Sequence, residues 1–189
     1  MTGNPLIEIA LLLVKTVFSI YIFAVMLRFI LQWTRADFYN PLSQMLVKIT
    51  NPPLIPLRRV IPGWKGIDFA SIVLLFILEA IKLSLTVLLV GGALSIAPLI
   101  IGALYGIIEL FIYLMIGIII VSVILSWFGQ SAQNPIAGLL HQITEPMLSP
   151  FRRLIPPMGG LDLSPLFALL TLQIALILIK SVFQLIPTM

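Results

Sequence analysis

Four uninterrupted apolar stretches limit what this chain can become. They run from about Leu6 to Leu31, Phe69 to Val90, Leu99 to Trp127 and Leu163 to Ile186. Each reaches the roughly 20 residues that a helix needs to cross the hydrocarbon core of a bilayer. The runs are continuous rather than alternating, and a barrel needs many more segments. The expected fold is therefore an all-α membrane protein with four transmembrane helices. Composition points the same way: 60% of the 189 residues are hydrophobic and 10% are charged, where soluble domains carry about 25% charged residues. The absence of cysteine removes disulfides, thiolate metal sites and cysteine nucleophiles. Met1-Thr2-Gly3-Asn4-Pro5 has no basic segment, and no small-residue cleavage site follows the first apolar run, so that run is expected to remain as a span. Gly91-Gly92 and Pro98 break the chain between spans two and three, and the short uncharged link predicts a tight hairpin.

Basic residues in the loops set the orientation. Arg35, Lys48, Arg58, Arg59 and Lys65 follow the first span, and Arg152 and Arg153 follow the third. The N-terminal tail, the Gly91–Pro98 link and the C-terminal Pro187-Thr188-Met189 hold none. Both long loops are thus expected to face the cytoplasm, with both termini on the other side.

Shifted by 94 residues, the chain matches itself without a gap. Trp33 falls on Trp127, Asn40-Pro41 on Asn134-Pro135, Thr50 on Thr144, Pro52 on Pro146 and Pro56 on Pro150. Arg58-Arg59 falls on Arg152-Arg153, Ile61-Pro62 on Ile155-Pro156, Gly66 on Gly160 and Asp68 on Asp162. Such a period is an internal repeat. Residues 1–94 form one unit (loop 32–68) and 95–189 the other (loop 128–162). Two spans per unit keep both copies in one orientation, so the repeat is parallel, with a pseudo-twofold axis along the membrane normal.

Each loop carries an amphipathic helix. Asn40 and Asn134 suit the N-cap, with Pro41 and Pro135 at the first helical position. Leu42, Met45, Leu46 and Ile49 share one face, and Ile136, Leu139, Leu140 and Ile143 repeat it; such a helix is expected to lie in the membrane interface. The helix is expected to end before Pro52 and Pro146. The following Pro-x-x-x-Pro-x-Arg-Arg segment is expected to be irregular and to bring its guanidinium pair to the lipid headgroups, where arginine suits phosphate.

The doubled pattern of Trp, Asn-Pro, Pro-x-x-x-Pro-x-Arg-Arg-x-Ile-Pro and Gly-x-Asp resembles the YggT family of bacterial inner-membrane proteins, in its two-copy proteobacterial form. The resemblance covers both halves, from about Leu6 to Leu185. It implies a bacterial inner-membrane location, with both termini periplasmic, and a role in osmotic stress tolerance and ion homeostasis. Relatives, including YlmG and plastid factors, extend those associations to division, plastid organisation and haem attachment. The resemblance brings no catalytic residues. The sequence departs from its own pattern where Gly63-Trp64-Lys65 becomes Pro157-Met158-Gly159.

Ionisable residues inside spans are functional candidates. Those singled out are Lys15, Glu79, Lys82, Glu109 and Lys180, with Glu8 near a span end. Lys15 and Glu109 occupy the same repeat position with opposite charge. Glu8, Glu79 and Glu109 balance Lys15, Lys82 and Lys180, which predicts ion pairs between helices. These charges read either as structural pairs and snorkelling lysines or as a polar path for an ion. Asp68 and Asp162, each at the mouth of a span, read as stabilising a helix N-terminus or as linked to the loop arginines. Gly102-x-x-x-Gly106 reads as a site of close helix packing. Trp33 and Trp127 read as interface anchors. His141, alone, makes no metal site.

No nucleotide loop, nucleophile elbow or His-Glu-x-x-His motif occurs, and no cofactor is expected. The arginine pairs are too small a patch for nucleic acid and favour anionic lipid. The expectation is a non-enzymatic membrane protein serving ion homeostasis, with ion transport through a homo-oligomer as one form of it. The alternative is a scaffold or assembly factor that uses its loops to hold a membrane protein partner or anionic lipid.

Overall fold

The computed structural model describes residues 4–127, 135–154 and 162–185. Six helices occur among them: α1 (Pro5–Trp33), α2 (Pro41–Val60), α3 (Phe69–Leu89), α4 (Ile96–Trp127), α5 (Pro135–Leu154) and α6 (Ser164–Leu185). Helices α1, α3, α4 and α6 are long and apolar enough to cross a membrane. Helices α2 and α5 are the amphipathic loop helices of the two repeats.

The helix starts follow local chemistry. The Asn40 side chain accepts from the Leu42 N–H at 3.0 Å, with Pro41 at the first position of α2. Asn134, the corresponding cap position, lies outside the described residues. Pro98 sits in the first turn of α4 rather than before it, where a missing N–H costs no hydrogen bond. Between α3 and α4, Gly91 takes φ +74° and donates to Leu88 O, while Gly92 donates to Val87 O. That left-handed C-terminal turn favours glycine and gives the hairpin expected between spans two and three.

The loop helices do not stop at their prolines. Helix α2 continues through Pro52, Pro53 and Pro56, and α5 through Pro146 and Pro150. Each proline removes an N–H and frees the carbonyl four residues earlier. Here α1 supplies a replacement: Tyr21 OH donates to Ile49 O, the carbonyl that Pro53 leaves free, at 3.3 Å. Leu54 is fully buried one residue beyond Pro53, so packing holds the helix where the proline weakens it.

Within each repeat the two spans pack together, α1 on α3 and α4 on α6, and the loop helix lies against both. Between repeats α3 packs on α4. Its symmetry counterpart, α6 on α1, is not built to a comparable extent. The repeats are thus parallel but joined on one side only. The main core gathers Ile22, Met26 and Ile30 of α1, Leu54 of α2, Leu75 of α3 and Met115 of α4. Outward apolar side chains such as Leu12, Leu13, Ile174 and Ile177 are exposed, as a lipid-facing surface requires.

Gly106 leaves room on α4 for the Glu79 side chain of α3. A Cβ there would meet Glu79 Oε1 at 2.5 Å, whereas one at Gly102 would meet only the Leu83 tip at 3.2 Å. Gly106→Ala is expected to cost about 1–3 kcal/mol, the usual price of overpacking, and Gly102→Ala distinctly less. Thermal unfolding of the two variants in detergent checks the order.

Candidate functional site

At the mouth of the first repeat the sequence brings Arg58, at the end of α2, beside Asp68, at the start of α3. The Arg58 guanidinium pairs with the Asp68 carboxylate through both Nε and Nη2, and Nη2 also donates to Gln32 Oε1 at 3.0 Å. Ser71 Oγ donates to the same carboxylate at 2.6 Å. One carboxylate therefore ties α2 to α3, and the arginine extends the tie to α1. Asp68 is only 2% exposed. Burial alone would push its carboxyl up, but the hydrogen bonds and charge of Arg58, with the Ser71 bonds, outweigh that and hold it below the ordinary carboxylate range.

The second repeat builds the same clamp with different support. Arg152 Nε donates to Asp162 at 2.8 Å, and Nη1 pairs with Glu145. Ser164 donates to Asp162 Oδ1 from its backbone N–H at 2.9 Å and from its hydroxyl. The Asp162 carboxyl is likewise held low: desolvation opposes this, and the Ser164 and Arg152 bonds prevail. Asp162 is more open, with a third of its side chain exposed.

The expectation that both arginines of each pair turn to the headgroups fails for Arg58 and Arg152. Arg58 and Arg152 turn inward to the aspartates, because a carboxylate at the span mouth needs a partner as water is withdrawn. Arg59 and Arg153, one residue on, point outward and are exposed.

The structure also reveals Arg28, which sequence reasoning did not single out. It lies inside α1 and is 3% exposed. Its Nη1 donates to Thr50 Oγ1 at 2.7 Å and to Val47 O at 3.3 Å, binding the middle of α2 to the span. Its Nε has no hydrogen-bond partner. An arginine about a turn from the end of a span reads as snorkelling; the available signal was that Ser122 stands in its place in the second copy.

Of the intramembrane charges, three come together. A cavity of about 210 Å³ between α1, α3 and α4 is lined by Ser19, Glu79, Lys82, Gly106, Glu109 and Tyr113, among others. The charges pair within helices rather than between them, contrary to the expectation from charge balance. Lys82 Nζ lies 2.6 Å from Glu79 Oε1 one turn away in α3. Tyr105 OH donates to Glu109 Oε1 at 2.8 Å within α4. One helical turn brings such side chains together without help from another helix. Lys15 and Glu8 are exposed on α1, without an ion pair among the described residues. Lys180 lies apart from the charge cavity, lining a separate one beside Tyr105 and Phe183. Trp33 stands edge-on to Phe111, with centroids 5.8 Å apart.

The CCB3/YggT family model matches residues 7–89 and again residues 101–183. Both ends of the two matched segments are 94 residues apart, the period of the internal repeat. An uncharacterised Pseudomonas aeruginosa protein is 46% identical over 167 residues, covering 87% of this chain and 85% of its own. Uncharacterised protein YggT of Escherichia coli K12 is 37% identical over 172 residues, covering 91% and 89%. YlmG homolog protein 2, chloroplastic, of Arabidopsis thaliana matches a shorter stretch, 46% identical over 54 residues, or 29% of this chain and 21% of that one. No solved structure matches significantly.

Arg58→Ala leaves a buried carboxylate unpaired and is expected to cost about 2–3 kcal/mol, toward the lower end for a buried pair because Arg58 is partly exposed. Arg152→Ala, beside a more open aspartate, is expected to cost under about 1 kcal/mol. Because the Asp68 carboxyl is held low in the folded protein, its stabilisation is present above the ordinary carboxylate value of about 4 and is lost as pH falls through the folded value. Acid unfolding in detergent should therefore be steeper for the native chain than for Asp68→Asn.

Proposed function

The chain belongs to the CCB3/YggT family over both of its halves, and from that premise we propose a non-enzymatic scaffold of a bacterial inner membrane. Its loop helices would lie on the cytoplasmic face, with both termini periplasmic, and would hold anionic lipid at a fixed geometry beside another membrane protein. The observation carrying this reading is the division of labour in each arginine pair. One arginine locks the loop helix to the spans, and its neighbour stays exposed. A rigid mount with a free guanidinium suits phosphate recognition. Each arginine near an anionic surface contributes about 1 kcal/mol, so Arg59→Ala with Arg153→Ala should weaken retention of phosphatidylglycerol at least about fivefold. Native mass spectrometry of protein extracted from mixed-lipid membranes reads this out, and unchanged retention would sink the proposal.

A second reading, ion homeostasis under osmotic stress, is favoured by the cavity that gathers Glu79, Lys82 and Glu109. Ionisable groups at membrane depth mark ion or proton routes in other proteins. In liposomes, cation flux that falls at least tenfold in Glu109→Gln would support it. Absence of flux under every cation gradient would remove the reading.

A further inference from the structure

Three cavities follow one another between α1 and α4, the helices that occupy equivalent places in the two repeats. The polar cavity shares Leu110 and Tyr113 with a second of about 380 Å³. That one shares Leu27, Ile118 and Leu140 with a third, of about 180 Å³, seated between α2 and α5. Ser19, Phe23, Leu27 and Leu31 line the succession on α1, spaced four apart on one helix face. Their span is roughly 18 Å at 1.5 Å per residue, slightly more than one leaflet of a core about 30 Å thick. A Cβ at Gly117, midway along, would meet nothing within 4 Å, so the groove reaches the α4 backbone.

The groove is apolar except at one end. There Glu79 is paired with Lys82, while Glu109 receives only a hydroxyl bond, with no cationic partner among the described residues. Two carboxylates thus face one ammonium. Lys82 has three donors, and Glu79 does not exhaust them. The end lies past the midplane, in the leaflet away from the loop helices: Lys82 is 14 residues beyond Asp68, roughly 21 Å along α3 in a core about 30 Å thick.

We propose that this groove binds a phospholipid whose headgroup ends in a primary ammonium, with that ammonium at Glu109 and the phosphate beside Lys82. One acyl chain lies along Phe23, Leu27 and Leu31 toward the seat between α2 and α5. Apolar walls take any acyl chain, so selectivity resides in Glu109. A headgroup carrying phosphate but no ammonium leaves that carboxylate uncompensated in a low-dielectric site, where like charges repel strongly.

The test uses the full-length protein carrying Arg59→Ala and Arg153→Ala, which removes the exposed guanidinium sites for anionic lipid; this background, called native below, is delipidated in detergent and titrated with palmitoyl lysophosphatidylethanolamine or palmitoyl lysophosphatidylglycerol under native mass spectrometry. The native chain is expected to favour the ethanolamine lipid at least about fivefold, or about 1 kcal/mol. Glu109→Gln is expected to reduce that preference below about twofold while keeping chain binding. Gly117 lines the middle cavity and has open space at its Cβ, so Gly117→Phe puts a ring into that cavity and is expected to weaken both lipids at least about tenfold while the lipid-free melting temperature stays unchanged. A native preference smaller than fivefold overturns the proposal. So does a preference retained in Glu109→Gln, or ethanolamine-lipid binding unaffected by Gly117→Phe.

Discussion

Polar groups carried below the headgroups must find their partners within the protein, because hydrocarbon offers none. That constraint explains most of the side-chain bonding in the spans. Ser84 and Thr86 return their hydroxyls to carbonyls one turn back, Ala80 O and Lys82 O. Glu79 and Lys82 close on each other, and Tyr105 closes on Glu109. Tyr21 and Arg28 reach out of α1 to satisfy α2, at Ile49 O and at Thr50 with Val47 O. The same requirement lets a proline-rich segment remain helical against the membrane protein's core. In water, carbonyls freed by Pro52, Pro53 and Pro56 would be hydrated; here one of them is met by the neighbouring span.

The fold was legible where a single physical scale decides it. Span length against bilayer thickness gave four helices, and α1, α3, α4 and α6 follow those limits within three residues. The asparagine-proline start of α2 was equally local, since a cap depends on three adjacent positions. What could not be read was tertiary. A proline inside α2 is unfavourable by itself, and nothing in the local sequence announces the Tyr21 hydroxyl, 28 residues before the freed Ile49 carbonyl, that offsets it. Charge counting failed for a related reason. It balances the membrane interior as a whole, while the actual pair, Glu79 with Lys82, is set by one turn of one helix. Of the cavity's charges, three of the five candidates were brought together, and the helix rotation that decided which was invisible in a hydropathy pattern.

The two clamps show how a duplicated motif can hold the same geometry with unequal strength. Arg58–Asp68 and Arg152–Asp162 stand at matching positions, yet the first closes on a buried aspartate and reaches Gln32, while the second closes on an open aspartate and is shared with Glu145. Arg28 accounts for part of the difference. It brings a second guanidinium beneath α2 in the first repeat, where Thr50 receives it. With Ser122 in its place, Thr144 donates to His141 O, within its own helix, at 3.3 Å. The first repeat therefore holds a buried polar seam of Arg28, Thr50, Asp68 and Ser71, while in the second α4, α5 and α6 meet through an apolar contact of Ile119, Leu148 and Ala168.

The one-sided joining of the repeats explains why Lys15 and Glu109 differ. Helix α3 covers α4 at the level of Glu109, so position 109 faces a protein cavity; no comparable contact from α6 covers α1, so Lys15 faces lipid. Lys15 lies 18 residues before Trp33, roughly 27 Å along α1, near the far limit of a core about 30 Å thick. A lysine stem can carry its ammonium the remaining distance to the headgroups; a glutamate there has a shorter reach. At position 109 the preference reverses, because a second lysine would face Lys82 in a small cavity. Equivalent positions in the repeat therefore meet different dielectric surroundings, and opposite charge is what each can accommodate. The groove between α1 and α4 lies where those two surroundings meet, which is why its polar end carries an excess of carboxylate.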